Sequence, residues 1–247
     1  MLILGIDTSG RQGSVALLRA QGEELLTLDL ALISGGEYSE RLVPTIAELL
    51  VRHGVERNGI GLIGVASGPG SFTGLRIAIA SVKGLSEAFA TPVVAVSVLE
   101  AVALASGVAG KTMAALDAQR TEVFFGEYIV EYIRENMGEQ TVSSKKSETA
   151  RMEREGLAGF GDFTSLLGGY EQPAKVFTPD ESLAARLLEK GVDTGVVARP
   201  SADAYARIAY CKFLAGVRAD VATLDANYLR RSDAEIFVSP KIDTAAL

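Results

Sequence analysis

A glycine-rich run of nine residues is the part of the sequence best suited to binding chemistry. It lies between a short apolar segment and a long helical pattern, and it reads Gly68-Pro69-Gly70-Ser71-Phe72-Thr73-Gly74-Leu75-Arg76. Glycine permits backbone angles that other residues avoid, so the pattern predicts a tight turn between a strand and a helix. We call residues 68–76 the glycine-rich turn. Free N–H groups at the start of such a helix can bind an anion, so a phosphate site is one chemistry to consider.

The residues around the last glycine do not match the standard phosphate loops. A P-loop has lysine and then serine or threonine after its last glycine, whereas Leu75 and Arg76 follow Gly74 here. A dinucleotide-binding loop would have glycine in place of Thr73. The alternative is a structural turn in which Ser71 or Thr73 caps the helix by accepting hydrogen bonds from free N–H groups. We favour the structural turn, with anion binding by residues 68–76 as the minor alternative.

Two aspartates that end apolar strand patterns are the second candidate for chemistry. Asp7 and Asp117 each end an apolar segment and are each followed by a polar turn and a further strand pattern. We call residues 7–10 the first aspartate turn and residues 117–121 the second. The repeated layout predicts an internal duplication. It resembles the actin-like and Hsp70-like (ASKHA) ATPases, in which two such turns face each other across a nucleotide cleft.

Only the first aspartate turn has the residue types that phosphate binding requires. It reads Asp7-Thr8-Ser9 followed by glycine, so the backbone could approach a phosphate closely. No glycine follows Asp117 in the second turn. We therefore predict at most a weak nucleotide site at Asp7, Thr8 and Ser9, with no ATPase activity and no resident cofactor.

The strand and helix patterns predict an α/β protein with two subdomains, each a mixed sheet with flanking helices. The first subdomain is predicted to comprise residues 1–107, joined by the C-terminal helix and tail of residues 201–247. The second is predicted to comprise residues 108–200. Within it, residues 131–155 are interpreted as a surface hairpin and loop, and a later helix is predicted to begin with Thr178 as its cap.

Composition excludes several kinds of site. The chain has one histidine, His53, and one cysteine, Cys211, so neither a two-histidine metal site nor an internal disulfide is expected. The net charge of −7 gives no bulk reason to expect nucleic-acid binding by this chain alone. No targeting or membrane-spanning segment is apparent, so the cytoplasm is the expected location.

The helix that follows the glycine-rich turn has a second apolar face of small residues in addition to the face expected in the core. A surface helix needs only one apolar face, so we interpret the second as a contact with a partner, although packing within the chain explains part of it. The preceding helix is also apolar over a wide arc. The predicted partner-interface positions on these two helices are Tyr38, Leu42, Ile46, Ile77, Ala80, Ser81, Gly84 and Ala88.

Four segments together resemble the TsaB family, also called YeaZ. They are residues 3–9, the glycine-rich turn, the residues around Asp117, and the late sequence Tyr228-Leu229-Arg230. The resemblance implies a non-catalytic subunit of the bacterial complex that forms N6-threonylcarbamoyladenosine in tRNAs reading ANN codons. In that system TsaB binds the transferase TsaD through paired helices and the ATPase TsaE joins them, so tRNA would be met only through the complex. When the partner is absent, the sequence leaves both a monomer and a homodimer open.

Two other functions stay open from the sequence. One is an M22-type peptidase, the older glycoprotease interpretation of this superfamily, in which Ser71 would be the nucleophile. The other is a nucleotide-binding sensor that uses the first aspartate turn.

Overall fold

The computed structural model describes residues 1–22, 24–134, 146–169, 175–227 and 229. This part of the chain forms ten strands and six α-helices. The strands are β1 (Leu2–Asp7), β2 (Gln12–Gln21), β3 (Glu24–Ser34), β4 (Ile60–Gly68), β5 (Val93–Ser97), β6 (Gly110–Asp117), β7 (Glu122–Arg134), β8 (Lys146–Gly159), β9 (Val176–Thr178) and β10 (Thr194–Val196). The helices are α1 (Tyr38–Arg52), α2 (Phe72–Phe89), α3 (Val98–Ala105), α4 (Phe160–Gly168), α5 (Glu181–Glu189) and α6 (Ala202–Leu214).

The two halves of the chain repeat one topology. The first sheet has the strand order β3-β2-β1-β4-β5, and the second has the order β10-β9-β6-β7-β8. In each half three antiparallel strands are followed by two strands that run parallel to the first. The helices also follow the same order, so α2 and α5 occupy equivalent places in the two halves. The predicted duplication into two mixed sheets with flanking helices is confirmed, whereas the subdomain boundaries stay a prediction.

Helices α3 and α6 connect the two sheets. Helix α3 packs against β6, β7 and β8 of the second sheet, while α6 packs against β1, β2 and β4 of the first. Two glycines allow α6 to lie close to the first sheet. A Cβ at Gly5 would lie 2.1 Å from the carbonyl oxygen of Ala202, and one at Gly64 would lie 2.6 Å from the Cβ of Ala209. The apolar core between the sheets therefore includes residues from both halves.

The outer face of each sheet has its own helix layer. Helices α1 and α2 cover the first sheet and share a second apolar core with it, and α4 and α5 cover the second sheet. No helix within the described ranges is both long and apolar enough to cross a membrane.

The second half departs from the sequence prediction in detail. Strands β7 and β8 form the predicted hairpin, and residues 135–145 between them lie outside the described residues. Helix α5 begins at Glu181 with Asp180 as its N-cap, so the prediction that Thr178 caps it was wrong. The reason is that Thr178 ends β9, where its hydroxyl accepts a hydrogen bond from the N–H of Asp180 at 3.1 Å.

Candidate functional site

The glycine-rich turn lies directly on the first aspartate turn. The N–H of Ser71 donates a hydrogen bond to the carbonyl oxygen of Ser9 at 2.8 Å. The hydroxyl of Thr8 donates to the carbonyl oxygen of Gly74 at 2.7 Å. Two backbone segments that are far apart in the sequence are thus joined where the parallel strands β1 and β4 end.

The spacing of the glycines follows from this contact. A Cβ at Gly70 would lie 2.4 Å from the carbonyl oxygen of Ser9, and one at Gly74 would lie 2.0 Å from that of Thr8. Gly68 has a φ of 113°, which strongly favours glycine. Each glycine of the turn therefore either admits the neighbouring backbone or permits the turn geometry.

A side chain of the turn itself caps the start of α2 by bonding a backbone N–H group there. The hydroxyl of Ser71 accepts a hydrogen bond from the N–H of Gly74 at 3.2 Å, as the capping alternative predicted. The guanidinium group of Arg76 lies 3.7 Å from the centre of the Phe72 ring. Thr73 is exposed beside them.

The three residues predicted as a weak nucleotide site do not present their side chains to a ligand. Asp7, Thr8 and Ser9 are all buried, and the carboxylate of Asp7 accepts a hydrogen bond from the N–H of Ser9 at 2.8 Å. Burial raises the pKa of Asp7, although hydrogen bonds from Ser9 and the charge of Arg199 oppose the shift. Ser9 and the following Gly10 nevertheless border an open cleft, and a weak nucleotide site at this turn stays a prediction.

Two buried hydroxyl groups lie near this carboxylate. They belong to Ser9 and Tyr205, and both side chains are buried. Burial, followed by the charge of Asp7, raises the pKa of Tyr205 well above its ordinary value. Because Tyr205 is a residue of α6, this buried cluster lies between that helix and the first aspartate turn.

The second aspartate turn has the opposite environment. Asp117 is exposed, its N–H donates to a carboxylate oxygen of Asp180 at 2.8 Å, and its own carboxylate accepts from the N–H of Gln119 at 2.9 Å. After Ala118, the three residues Gln119, Arg120 and Thr121 all have positive φ. Such angles are uncommon for residues other than glycine. Because the second turn contains no glycine, it lacks the compact glycine loop that lets a backbone approach a phosphate closely.

An open cleft of about 1690 Å³ separates the two aspartate turns. Four arginines (Arg11, Arg76, Arg120 and Arg199) and three acidic residues (Asp117, Asp180 and Glu181) lie on its walls. A guanidinium nitrogen of Arg199 approaches a carboxylate oxygen of Asp180 at 3.8 Å. Within the described residues no group of acidic, histidine or cysteine side chains could hold a metal ion. Sequence reasoning missed Arg199 and Asp180, since neither belongs to a recognisable motif.

The small-residue face of α2 lies on the outside of the molecule. Ala80, Gly84 and Ala88 are exposed, and Ile77 and Ser81 are half-buried. A Cβ built at Gly84 would meet no atom within 4 Å. We call these five residues the small-residue face. At Gly84, none of the residues that the structure describes covers this face.

On α1 the predicted interface residues are corrected. Tyr38, Leu42 and Ile46 are only 4%, 1% and 2% exposed and belong to the core beneath the helix. The side chain of Tyr38 also donates a hydrogen bond to the carbonyl oxygen of Gly10 at 2.8 Å. The helix is apolar on both sides, and the first sheet covers the side that carries these three residues.

The exposed side of α1 carries a different set of apolar residues. Val43 is 50% exposed and Val51 is 81% exposed, and Ala47 between them is exposed as well. Spacing of four residues places the three on one side of the helix. The signal was present in the sequence, but periodicity alone did not tell which apolar side faces the sheet.

Comparison with known families and proteins agrees with this geometry. A family model described as TsaD, tRNA N6-adenosine threonylcarbamoyltransferase, matches residues 33–238. The chain is 30% identical over 239 residues to the tRNA threonylcarbamoyladenosine biosynthesis protein TsaB of Bacillus subtilis, covering 95% of this chain and 96% of the relative. It is 34% identical over 142 residues to the protein of the same name from Haemophilus influenzae, of which the match covers 58%.

Solved structures show the same architecture. YeaZ from Pseudomonas aeruginosa superposes with a TM-score of 0.66 at 25% identity, covering 92% of this chain and 100% of that chain. A second structure, described as an uncharacterized protein with similarity to peptidase YeaZ from Pseudomonas aeruginosa, gives 0.68 at 25% identity, covering 93% and 99%.

The fold is therefore that of the TsaD and YeaZ proteins, which belongs to the actin-like ATPase class, and the predicted fold class is confirmed. Within that class, the chain belongs to the TsaB (YeaZ) family, as its motifs indicated. Of the late motif, Tyr228 and Arg230 lie outside the described residues, and Leu229 lies at the cleft.

Proposed function

We propose that this chain is a non-catalytic partner subunit in the formation of N6-threonylcarbamoyladenosine in tRNA, and that it acts by binding a TsaD transferase subunit. The observation that carries the proposal is the small-residue face of α2, which is apolar, regular and open to solvent at Gly84. The names of the TsaB relatives support the pathway, and the TsaD family match supports a shared fold with the partner.

The absence of catalysis is argued from the two aspartate turns. The first has its carboxylate buried and its backbone bonded to the glycine-rich turn. The second has no glycine and is bonded to Asp180. The first turn therefore keeps its carboxylate inside the protein, and the second lacks the glycine loop that lets a backbone cradle a phosphate.

The geometry of the two outer helices fits a helical partner. Small side chains at Ala80, Gly84 and Ala88 permit close approach of a second helix, at the short end of the usual 8–10 Å between helix axes. Helix α1 packs beside α2 and adds Val43 and Val51 as exposed apolar contacts. We further propose that TsaE and tRNA join only through the complex, and that a second copy of this chain occupies the face when TsaD is absent.

A bulky residue on the small-residue face tests the proposal. Gly84→Leu should leave the chain folded, because its Cβ meets no atom within 4 Å, and should weaken binding of purified TsaD at least about 100-fold, since a buried clash costs a few kcal/mol. Affinity is measured by isothermal titration calorimetry, and folding by circular dichroism.

The matched control is Ala185→Leu on α5, the equivalent helix of the second half, where Ala185 is exposed. This variant should bind TsaD as the wild type does. Equal affinities for Gly84→Leu and wild type would overturn the assignment of the face, and no binding by the wild type would overturn the proposed function itself.

The peptidase interpretation has one observation in its favour, the description of a similar solved structure as related to a peptidase. The environment of Ser71 does not support it, because its hydroxyl caps α2, while His53 is bonded to Asp29 at 3.0 Å. Cleavage of a defined peptide by the purified chain, lost in Ser71→Ala, would revive this function.

A further inference from the structure

Residues 217–227 form an irregular segment with a turn at 221–223 that links three parts of the molecule, and we call it the strap. It leaves the end of α6 and bonds to the edge of the first sheet, where the N–H of Ala219 donates to the carbonyl oxygen of Val93 at 2.8 Å. It then passes beside α2, where the Lys83 ammonium group donates to the carbonyl oxygen of Ala222 at 3.2 Å. The strap is therefore fixed without being helix or strand.

The middle of the strap is packed into the core of the outer helix layer. Leu224 and Ala226 are buried among residues of α1, α2 and the first sheet. Lys83 lies about 60° around the helix from Ala80, at 100° per residue, so the strap borders α2 next to the small-residue face. The strap therefore contacts α2 beside the face that we propose as the partner contact.

Asn227 connects the far end of the strap to both sheets. Its N–H donates to the carbonyl oxygen of Ser67 at 2.7 Å, directly before the glycine-rich turn. Its side-chain amide donates to a carboxylate oxygen of Glu155, on β8 of the second sheet, also at 2.7 Å. The other oxygen of Glu155 accepts hydrogen bonds from the hydroxyls of Ser97 and Tyr128.

We propose that the strap holds α2 in register with the second sheet, and that Asn227 is a positioning residue for partner binding. The inference rests on the proposed function, because it assigns a means of control to the same face. The backbone bond from Asn227 to Ser67 fixes the start of the glycine-rich turn. The side-chain bond from Asn227 to Glu155 holds the end of the strap, and the strap in turn contacts α2 through Lys83. The carboxylate of Glu155 is the common acceptor that ties this end of the strap to both sheets.

Two variants of Asn227 test the inference. Asn227→Ala removes the bond to Glu155, so the strap is held less firmly and affinity for TsaD should fall by up to about tenfold, which corresponds to the whole free energy of one hydrogen bond to a charged group. Asn227→Asp has the same shape but places a carboxylate against Glu155, so affinity should fall further although packing is retained. Both are measured by calorimetry at a temperature well below the unfolding midpoint.

The control is Asp225→Ala, an exposed residue of the strap whose carboxylate bonds only to the next N–H, that of Ala226, in the contacts described. It should bind TsaD as the wild type does. Hydrogen exchange of the free variants should accelerate in residues 67–89 for Asn227→Asp but not in α5. Such a local change separates positioning from a general loss of stability.

Two results would overturn the inference. One is wild-type affinity in both Asn227 variants while Gly84→Leu still abolishes binding, which would leave the proposed function standing. The other is a loss of affinity in Asp225→Ala equal to that in Asn227→Asp, with no local change in exchange.

Discussion

The first aspartate turn is buried beneath the glycine-rich turn, whereas the second is exposed on the opposite wall of the cleft. Both turns follow the first strand of a sheet with the same topology. The connection between the fourth strand and its helix is what differs. In the first half it is the glycine-rich turn, which bonds to Thr8 and Ser9, and in the second it is the short link from Thr178 to Asp180.

The helices after these connections differ in the same way. Helix α2 has 18 residues and an exposed small-residue face, whereas α5 has 9 residues and lacks such a face. In the first half the aspartate turn is thus covered by the glycine-rich turn, and the longer helix carries the exposed face that we propose as the partner contact. A glycine-rich sequence can therefore serve for close backbone contacts, which is a structural role.

The largest effect is expected where the two turns of the first half touch. Gly74→Ala places a Cβ about 2.0 Å from the carbonyl oxygen of Thr8, a backbone atom that cannot move away alone. The free energy of unfolding should fall by about 3 kcal/mol or more, measured by urea denaturation. Gly161→Ala in α4, where a Cβ meets no atom within 4 Å, should change it by less than about 1 kcal/mol. Equal effects would mean that the contact between the turns is not required.

A smaller effect is expected from removing the charge of the first aspartate. Because burial raises the pKa of Asp7, the native state keeps a proton at a pH where the unfolded state has released it. Stability therefore falls as the pH rises from about 4 through the raised native pKa. Asp7→Asn should lack this fall and be at least as stable as the wild type at pH 7, because its carbonyl can still accept the N–H of Ser9.

The same substitution in the second half is the control. Asp117 is exposed, and asparagine can still accept the N–H of Gln119, so Asp117→Asn should change stability by less than about 0.5 kcal/mol. Thermal unfolding of both variants between pH 4 and pH 7 measures the difference. Strong destabilisation by Asp7→Asn at pH 7 would show that the carboxylate itself is needed in its charged form.

Local sequence patterns predicted the parts of the fold that depend on local interactions. The apolar strand before Asp7, its repeat before Asp117 and the helix after the glycine-rich turn all have clear periodicity. The start of α5 was missed because Thr178 and Pro179 form a good helix signal that strand pairing overrides. Strand β10 has only three residues, too few for a period to be recognised.

The site was less predictable than the fold because it depends on contacts between distant segments. Nothing in the sequence places Gly74 within reach of Thr8, so the burial of the first aspartate turn could not be foreseen. On α1, both sides of the helix are apolar, and only packing against the sheet decides that Leu42 is buried and Val43 exposed. On α2 the small residues lie on the outer side and larger residues on the core side, so the periodicity distinguished the two faces but not what contacts the outer one.

Hydrogen exchange of the full chain with and without purified TsaD is the decisive test of the proposed interface on α2. We expect α2 (Phe72–Phe89) to exchange more slowly in the complex, together with the exposed side of α1, while the equivalent helix α5 (Glu181–Glu189) is unchanged. Slower exchange in α5 with no change in α2 would contradict the proposed interface.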